Sequence, residues 1–410
     1  MAKTVYVGMS GGVDSSVAAM LLVEQGYKVV GVYMKNWSRD LPGMKCPWAE
    51  DLADAKRVAV RLGIDFEVWD FEEAYREKVV EYMLKEFRAG NTPNPDVMCN
   101  QEIKFKLFYE KAMEAGADFI ATGHYARVCP TESSSGRVLS SHFPPCRDRA
   151  PWGPPKLGHP PIMNTQLSPI HANLLRAVDE NKDQTYFLYR ISEEAIAHTL
   201  FPIGGMLKPD VKKLAEERGL HNAYKKESMG VCFVGEVGMK DFLKEYIDTQ
   251  PGEIREVESD KVLGYHEGAV FYTIGQRHGL YLDGEKGVVN DGMPYYVVKK
   301  DVEKNIVYVS KNLNSGELWT KELQLKNIFL RTGPDSASSP TLDGARAGGP
   351  QAASPVRVNL SARLRHRAPL IPVEFDGEVL HFTDEIKRPA SGQSAVLYDD
   401  EICLGGGIII

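Results

Sequence analysis

Cysteine is scarce in this chain of 410 residues: there are six, too few to staple a fold of that size. Stability must therefore come from buried apolar side chains, and a reducing, cytoplasmic home is the expectation. Long apolar runs are missing as well. None reaches the roughly 18 residues a membrane helix needs, so neither a span nor a membrane partner is expected. Met1-Ala2-Lys3 passes straight into a strand-like run, which leaves no room for a signal peptide. The net charge of −7 argues against nonspecific coating of nucleic acid, while leaving room for a local basic surface. With 43% hydrophobic and 26% charged residues, the chain has a globular balance and enough length for two or three cores.

Against these absences stands Ser10-Gly11-Gly12-Val13-Asp14-Ser15-Ser16, between the apolar run 4–7 and a helix-like run 17–24. Strand, glycine turn and helix in that order gather backbone N–H groups and a positive helix end at one point, where an anion binds. No Lys follows the second glycine, which excludes the P-loop of kinases. No third glycine completes a dinucleotide fingerprint. Ser-Gly-Gly-x-Asp-Ser resembles the pyrophosphate loop (PP-loop) of ATP pyrophosphatases, which adenylate an oxygen and release pyrophosphate. The ordinary alternative is a glycine turn before a helix.

The first half alternates strand and helix patterns, which predicts an α/β fold with a parallel, Rossmann-like sheet. Strands are expected at 28–34, 66–69 and 119–122, and helices at 50–62, 72–88 and 103–115. Ligands collect at strand carboxyl ends in such sheets, so Gly8 to Ser15, Met34 and Gly123 should meet in one crevice. Residues 130–173 are proline-rich and aperiodic, a surface insertion. Its Cys129, Cys146, His142 and His159 match no compact zinc spacing. Order resumes at 174–177 and runs through Lys182-Asp183-Gln184 to a helix near 209–218. Beyond about residue 241, short strands between turn residues suggest a small C-terminal β-barrel, interrupted by a low-complexity stretch at 333–355. The expected units are 1–238, 239–298 and 299–410.

Two cysteines stand apart. Cys99 follows Thr92-Pro93-Asn94-Pro95-Asp96, a stiff loop, and a helix beginning near Glu102 would lower a nearby thiol's pKa. Cys232, in Gly230-Val231-Cys232-Phe233, has Lys225 and Lys226 upstream to stabilise a thiolate. Cys46 and Cys403 read as small buried hydrophobes.

Taken together, the ordered motifs resemble the tRNA 2-thiouridylases that thiolate the wobble uridine, position 34. They are 8–16 (GMSGGVDSS), 34–37 (MKNW), 92–96 (TPNPD), Cys99-Asn100, 103–105 (IKF), 121–125 (ATGHY), 182–184 (KDQ), 230–233 (GVCF), 275–277 (GQR) and Gly392-Gln393. The resemblance covers nearly the whole chain apart from the two insertions. It implies that Gly8, Met9, Ser10, Gly11, Gly12, Val13, Asp14 and Ser15 hold ATP, with Asp14 near the accompanying Mg2+. Met34 and Gly123 would touch the adenosine, and Asn94, Pro95 and Asp96 would frame the target base. Cys99 would be the nucleophile and Cys232 the persulfide carrier, the two forming a transient disulfide. His124, Lys182, Asp183, Gln184, Arg365, His366 and Gln393 would contact tRNA, as would the central unit. No protein-only metal site is implied. Lys, Glu and Gln isoacceptors are the expected substrates, and a cysteine desulfurase or sulfur-relay protein the expected donor.

Local charge is compatible with such a partner. Arg363, Arg365 and Arg367 would project from one face of a strand at period two, suited to phosphates. A solvated basic edge strand is the plainer alternative. The rival functions are a PP-loop ligase or amidotransferase, which needs no cysteine pair, a non-catalytic tRNA-binding module, and an iron–sulfur thiolase, for which Cys99, Cys129, Cys146 and Cys232 lack cluster spacing.

Overall fold

A computed structural model describes residues 2–40, 46–130, 172–226, 239–282, 293–312, 316, 318–331 and 358–410. The first unit is built on strands β1 (Thr4–Gly8), β2 (Lys28–Lys35), β3 (Asp65–Asp70) and β4 (Phe119–Thr122). A hairpin, β5 (Arg127–Pro130) and β6 (Ala172–Leu175), and a short β7 (Thr199–Leu200) follow. The sheet runs β3-β2-β1-β4-β7 with every pairing parallel. The chain winds outward from β1 to β3 and then returns to lay β4 on the other side of β1. The order therefore reverses between β1 and β4, and a crevice opens at their carboxyl ends.

Both faces of this sheet are covered, which is why β1 is apolar at nearly every position. Val5 and Val7 pack with helix α1 (Val13–Glu24) and with Ala55 and Val58 of helix α2 (Trp48–Leu62). Tyr6 packs on the opposite face with Val79, Met83, Ile103 and Phe108. Those four residues belong to two long helical runs, 72–88 and 95–114, and each contains a π-helical stretch, Arg76–Val80 and Cys99–Leu107. The second run begins eight residues earlier than its periodicity suggested. Asn94 is the N-cap and Pro95 supplies a ready-set φ in the first turn. The stiff loop before Cys99 is accordingly short, and Cys99 sits inside the helix.

The central sheet has the order β10-β11-β8-β9, from β8 (Gly252–Glu256), β9 (Val262–His266), β10 (Tyr296–Asp301) and β11 (Ile306–Ser310). It closes over Ile254, Leu263, Tyr272, Val297, Val307 and Val309. A division after residue 298 would cut β10, so we propose that this unit extends through Ser310.

The last unit comprises β12 (Trp319–Leu330), β13 (Val358–Arg363), β14 (Ile371–Phe375), β15 (Val379–Lys387), β16 (Ser394–Asp399) and β17 (Ile402–Ile409). Their order is β12-β15-β14-β13-β16-β17, and β12 pairs back to β17, giving a closed six-stranded barrel without a free edge. Leu323, Leu325, Phe375, Leu380 and Leu397 fill it, each contributing about 1.5–3 kcal/mol by leaving water. The β5–β6 hairpin adds to the barrel through Leu175 beside Ile402, so the first unit and the barrel share one sheet. The proline-rich insertion joins the facing ends of that hairpin, Pro130 and Ala172.

Candidate active site

The glycine turn lies at the reversal of strand order. Gly12 caps α1 with no side-chain hydrogen bond, so the first-turn N–H groups of Val13, Asp14 and Ser15 have no intrahelical acceptor. The serines brace the turn from within. Ser15 Oγ accepts from Ser10 N at 3.2 Å and donates to the Gly12 carbonyl at 3.1 Å, and Ser16 Oγ donates to the same carbonyl at 2.9 Å. Gly11 holds φ +76°, and a Cβ there would lie 2.3 Å from the Asp51 carbonyl. At Gly12 a Cβ would meet only Ser10 Oγ, at 3.4 Å, so that side is open to a ligand. Such a cradle fits a triphosphate. Met9 and Val13 are buried, placing their side chains in the core and leaving their backbone to the loop.

Gly123 follows β4 on the far side of the crevice. A Cβ there would approach Ser15 N to 2.5 Å, so the missing side chain lets β4 press against the loop. Gly8 likewise lies under Met34, whose Cε would be 2.8 Å from an added Cβ.

Asp14 is the centre of a network that sequence reasoning did not find. Both carboxylate oxygens accept from Lys208 Nζ at 2.7 Å, and Oδ1 also accepts from the Tyr125 hydroxyl at 3.0 Å. Gln184 fixes Tyr125 by accepting from its backbone N–H at 2.9 Å. The only hints were the positions of Tyr125 after Gly123-His124 and Lys208 before Pro209. With its oxygens so engaged, Asp14 offers no ready seat for a resident cation. Among the described residues no group of three or more His, Cys, Asp or Glu is placed to hold a metal.

Cys99 comes to this crevice from the opposite face of the sheet. Phe108, in the same helical run, would lie 3.8 Å from a Cβ on Gly8, and Phe105 packs on His124 with ring centroids 5.7 Å apart. The run leads into β4 at its other end, so its first turns overhang the carboxyl ends of the strands. Nine residues of helix, roughly 10–13 Å, carry Cys99 beyond Phe108 in that direction. Cys99 is 2% exposed. It lies in the second helical turn, where the macrodipole has faded, so the expected activation by a helix beginning near Glu102 does not apply. Burial pushes the Asp96 carboxyl up, with Lys104 opposing. Asn94 lies beside the Tyr186 hydroxyl, which donates to the Ser394 carbonyl at 3.0 Å, and Asn100 Nδ2 donates to the Phe187 carbonyl at 3.1 Å.

Cys232 lies outside the described residues, as does the expected disulfide with Cys99. Its upstream neighbour Lys225 is visible and serves as an anchor: Nζ donates to Asp51 at 2.8 Å and Asp54 at 2.5 Å, both on α2. That ammonium is committed to these two carboxylates. Asn222 Nδ2 ties the same segment to the Gly11 carbonyl at 2.9 Å. Cys129 is disulfide-bonded, and Cys403 is buried with its thiol pushed up to about 11.

The residues expected on tRNA divide into two groups. Asp183 points inward. It is 1% exposed and accepts from Arg363 Nη1 at 2.6 Å and Thr185 Oγ1 at 2.9 Å, which keeps it from a polyanion. Gln393 Nε2 donates to the Thr92 carbonyl at 2.7 Å, clamping the barrel to the loop before Asn94. His124 is half-buried, and burial followed by Lys104 holds its imidazole well below the ordinary range, so it is neutral. The arginines do not share a strand face. β13 ends at Arg363, which is buried, and Arg365 and Arg367 are exposed in a turn where Arg367 has φ +63°. His366 between them packs on Phe187 in a tilted arrangement with ring centroids 4.5 Å apart, and burial, then Arg367 and Arg363, lower it to about 4. Lys182 is near this turn and adds to its positive field.

A parallel sheet with a phosphate cradle at its reversal point, a cysteine helix on the opposite face and a closed barrel beside them define a nucleotide-binding α/β enzyme of PP-loop type. Family models match all three units: a tRNA methyl transferase HUP domain over 3–150 and 161–236, a tRNA methyl transferase PRC-barrel domain over 240–311, and an aminomethyltransferase beta-barrel domain over 350–409. The tRNA-specific 2-thiouridylase MnmA of Idiomarina loihiensis is 42% identical over 411 residues, covering 99% of this chain and 96% of the relative. Those of Lysinibacillus sphaericus and Bacillus licheniformis are 40% and 41% identical, each covering 99% of this chain and 93% and 94% of the relative. The chain belongs to the family of tRNA-specific 2-thiouridylases.

Proposed function

We propose that the protein is a tRNA-uridine 2-sulfurtransferase that consumes ATP to replace the C2 oxygen of the wobble uridine by sulfur. The observation that supports this reading is that the helical run of Cys99 packs through Phe105 on His124, next to the Gly123 that presses on the phosphate cradle. Oxygen at C2 is a poor leaving group. Attack of that oxygen on the α-phosphorus of ATP expels pyrophosphate into the loop of Ser10 to Ser15 and converts the oxygen to part of an AMP ester. The terminal sulfur of a Cys232 persulfide then reaches C2 by one of two routes. It attacks directly, after which Cys99 attacks the Cys232 sulfur, forming the Cys99–Cys232 disulfide and freeing the thiouridine. Alternatively, Cys99 first attacks the persulfide, forming the same disulfide and releasing sulfide that attacks C2. AMP departs with the original oxygen. Either route brings the two thiols together, with Cα atoms under about 7 Å apart in the disulfide. A thiol reductant resets the disulfide after either route.

Mg2+ would enter with the triphosphate and spread its charge; the protein's own part is the cradle, the Asp14 network and the two thiols. Asn94, Pro95 and Asp96 would border the base, which must leave its anticodon stack to reach Cys99. Arg365, His366 and Lys182 would meet the tRNA backbone, and a cysteine desulfurase or relay protein would load Cys232. The matched family descriptions name methyl transfer, a reaction whose donor carries no triphosphate; the Gly11–Ser15 cradle favours ATP chemistry instead.

Purified protein given ATP, Mg2+, tRNA and a persulfide donor should form 2-thiouridine, read by mass spectrometry of digested nucleosides. Formation of AMP without thiolation, with a competent donor, would sink the sulfur step. Full activity of Cys232→Ala would favour the ligase or amidotransferase reading.

A further inference from the structure

Lys208 enters the reading above only as a partner of Asp14, the one acidic side chain of the glycine loop, with no role toward the nucleotide. Its side chain is 8% exposed, and it opens the helix Lys208–Glu217 with Pro209 behind it. The Asp179 carboxylate accepts from its backbone N–H at 2.9 Å, so the main chain is pinned and the four-carbon stem is what can move. The ammonium therefore reaches the edge of the cradle from outside, on a fixed base. A polyphosphate settling on the N–H groups of Val13, Asp14 and Ser15 brings several negative charges beside the Asp14 carboxylate. That carboxylate repels it unless a cation stands between them. Among the described residues, Lys208 is the cation within 3 Å of that point, at 2.7 Å from both Asp14 oxygens. Tyr125 remains hydrogen-bonded to Asp14 at 3.0 Å, so the carboxylate keeps a donor when the ammonium turns away.

We infer that Lys208 is a phosphate-binding residue, held in reserve by Asp14, that moves onto the β,γ-phosphate end of ATP and stays with pyrophosphate after cleavage. The inference rests on reading the loop as a pyrophosphate site. Its test is binding of inorganic pyrophosphate to the full chain by calorimetry in EDTA, alongside thermal melting. Lys208→Met should weaken pyrophosphate binding at least tenfold, and Lys208→Arg should recover most of it. Asp14→Asn removes the competitor for the ammonium and should tighten metal-free binding about five- to tenfold. The double variant Asp14→Asn/Lys208→Met should lose that gain. A purely structural tie would instead leave affinity unchanged in Lys208→Met and untightened in Asp14→Asn, with both melting lower, and would overturn the inference. If the unaltered protein fails to bind pyrophosphate, the loop reading falls with it; if it binds and Lys208→Met binds equally, the inference alone falls.

Discussion

A histidine among arginines would ordinarily be taken for a third cation, but His366 is held neutral. Its folded pKa, about 4, lies below the ordinary 6.5 because burial and the guanidiniums of Arg367 and Arg363 oppose a further charge. The unfolded chain therefore binds this proton more readily, and the contribution to stability is full above pH 6.5 and lost as pH falls towards 4. Any contact of His366 with RNA is a stacking or hydrogen-bonding contact and not a salt link. Affinity for tRNA, measured by filter binding between pH 5.5 and 8, should show no titration that disappears in His366→Phe. A rise in affinity near pH 6.5, abolished by that substitution, would contradict it. Arg365→Ala, by contrast, should weaken all tRNAs alike and reduce the salt slope by about one.

At the scale of elements, the loop that borders the candidate base pocket is shaped by a barrel loop at the other end of the chain. Thr92 N donates to the Ser391 carbonyl at 2.8 Å, and Gln393 Nε2 returns a bond to the Thr92 carbonyl at 2.7 Å. Gly392 allows this contact: it has φ +90°, and an added Cβ would lie 2.9 Å from Asn91 Cβ. Gly392→Ala should lift the barrel loop from residues 91–92 and cut thiolation at least tenfold while leaving pyrophosphate binding within twofold. Equal loss of both would place the effect elsewhere. None of this was legible in the sequence, because the partners are some 300 residues apart and each is an ordinary loop residue. The parallel sheet was legible, since β1, β2 and β4 are buried on both faces and so read as apolar runs. The helix 95–114 was half legible. Its π stretch, Cys99–Leu107, departs from a 3.6-residue period, and the α-helical turn before it, Pro95–Met98, is too short to show one. The period-two arginines misled for a related reason: alternation persists past Arg363, but the backbone turns there.

For the molecule as a whole, the joint between nucleotide unit and barrel is polar and buried. Arg363 of β13 and Asp183 have side chains 5% and 0% exposed and lie 2.6 Å apart, with Arg176 at 3.8 Å from the same carboxylate. Arg331 adds a second tie, donating to the Leu188, Tyr189 and Ile191 carbonyls at 3.1, 2.8 and 3.2 Å. Removing one member of a buried pair strands the other, a loss of about 3–5 kcal/mol, whereas removing both charges costs less. Arg363→Met should therefore lower the melting temperature more than Asp183→Asn/Arg363→Met does. Because Asp183 reaches the phosphate cradle only through its neighbour Gln184 and Tyr125, the single variant should still bind pyrophosphate but bind tRNA more weakly, as the Arg365 turn loses its fixed relation to Cys99. Scanning calorimetry with the two binding assays decides it. If the double variant is as unstable as the single one, the pair acts through packing and not through charge. If pyrophosphate binding falls with tRNA binding, the cradle and the barrel form one cooperative body across this joint.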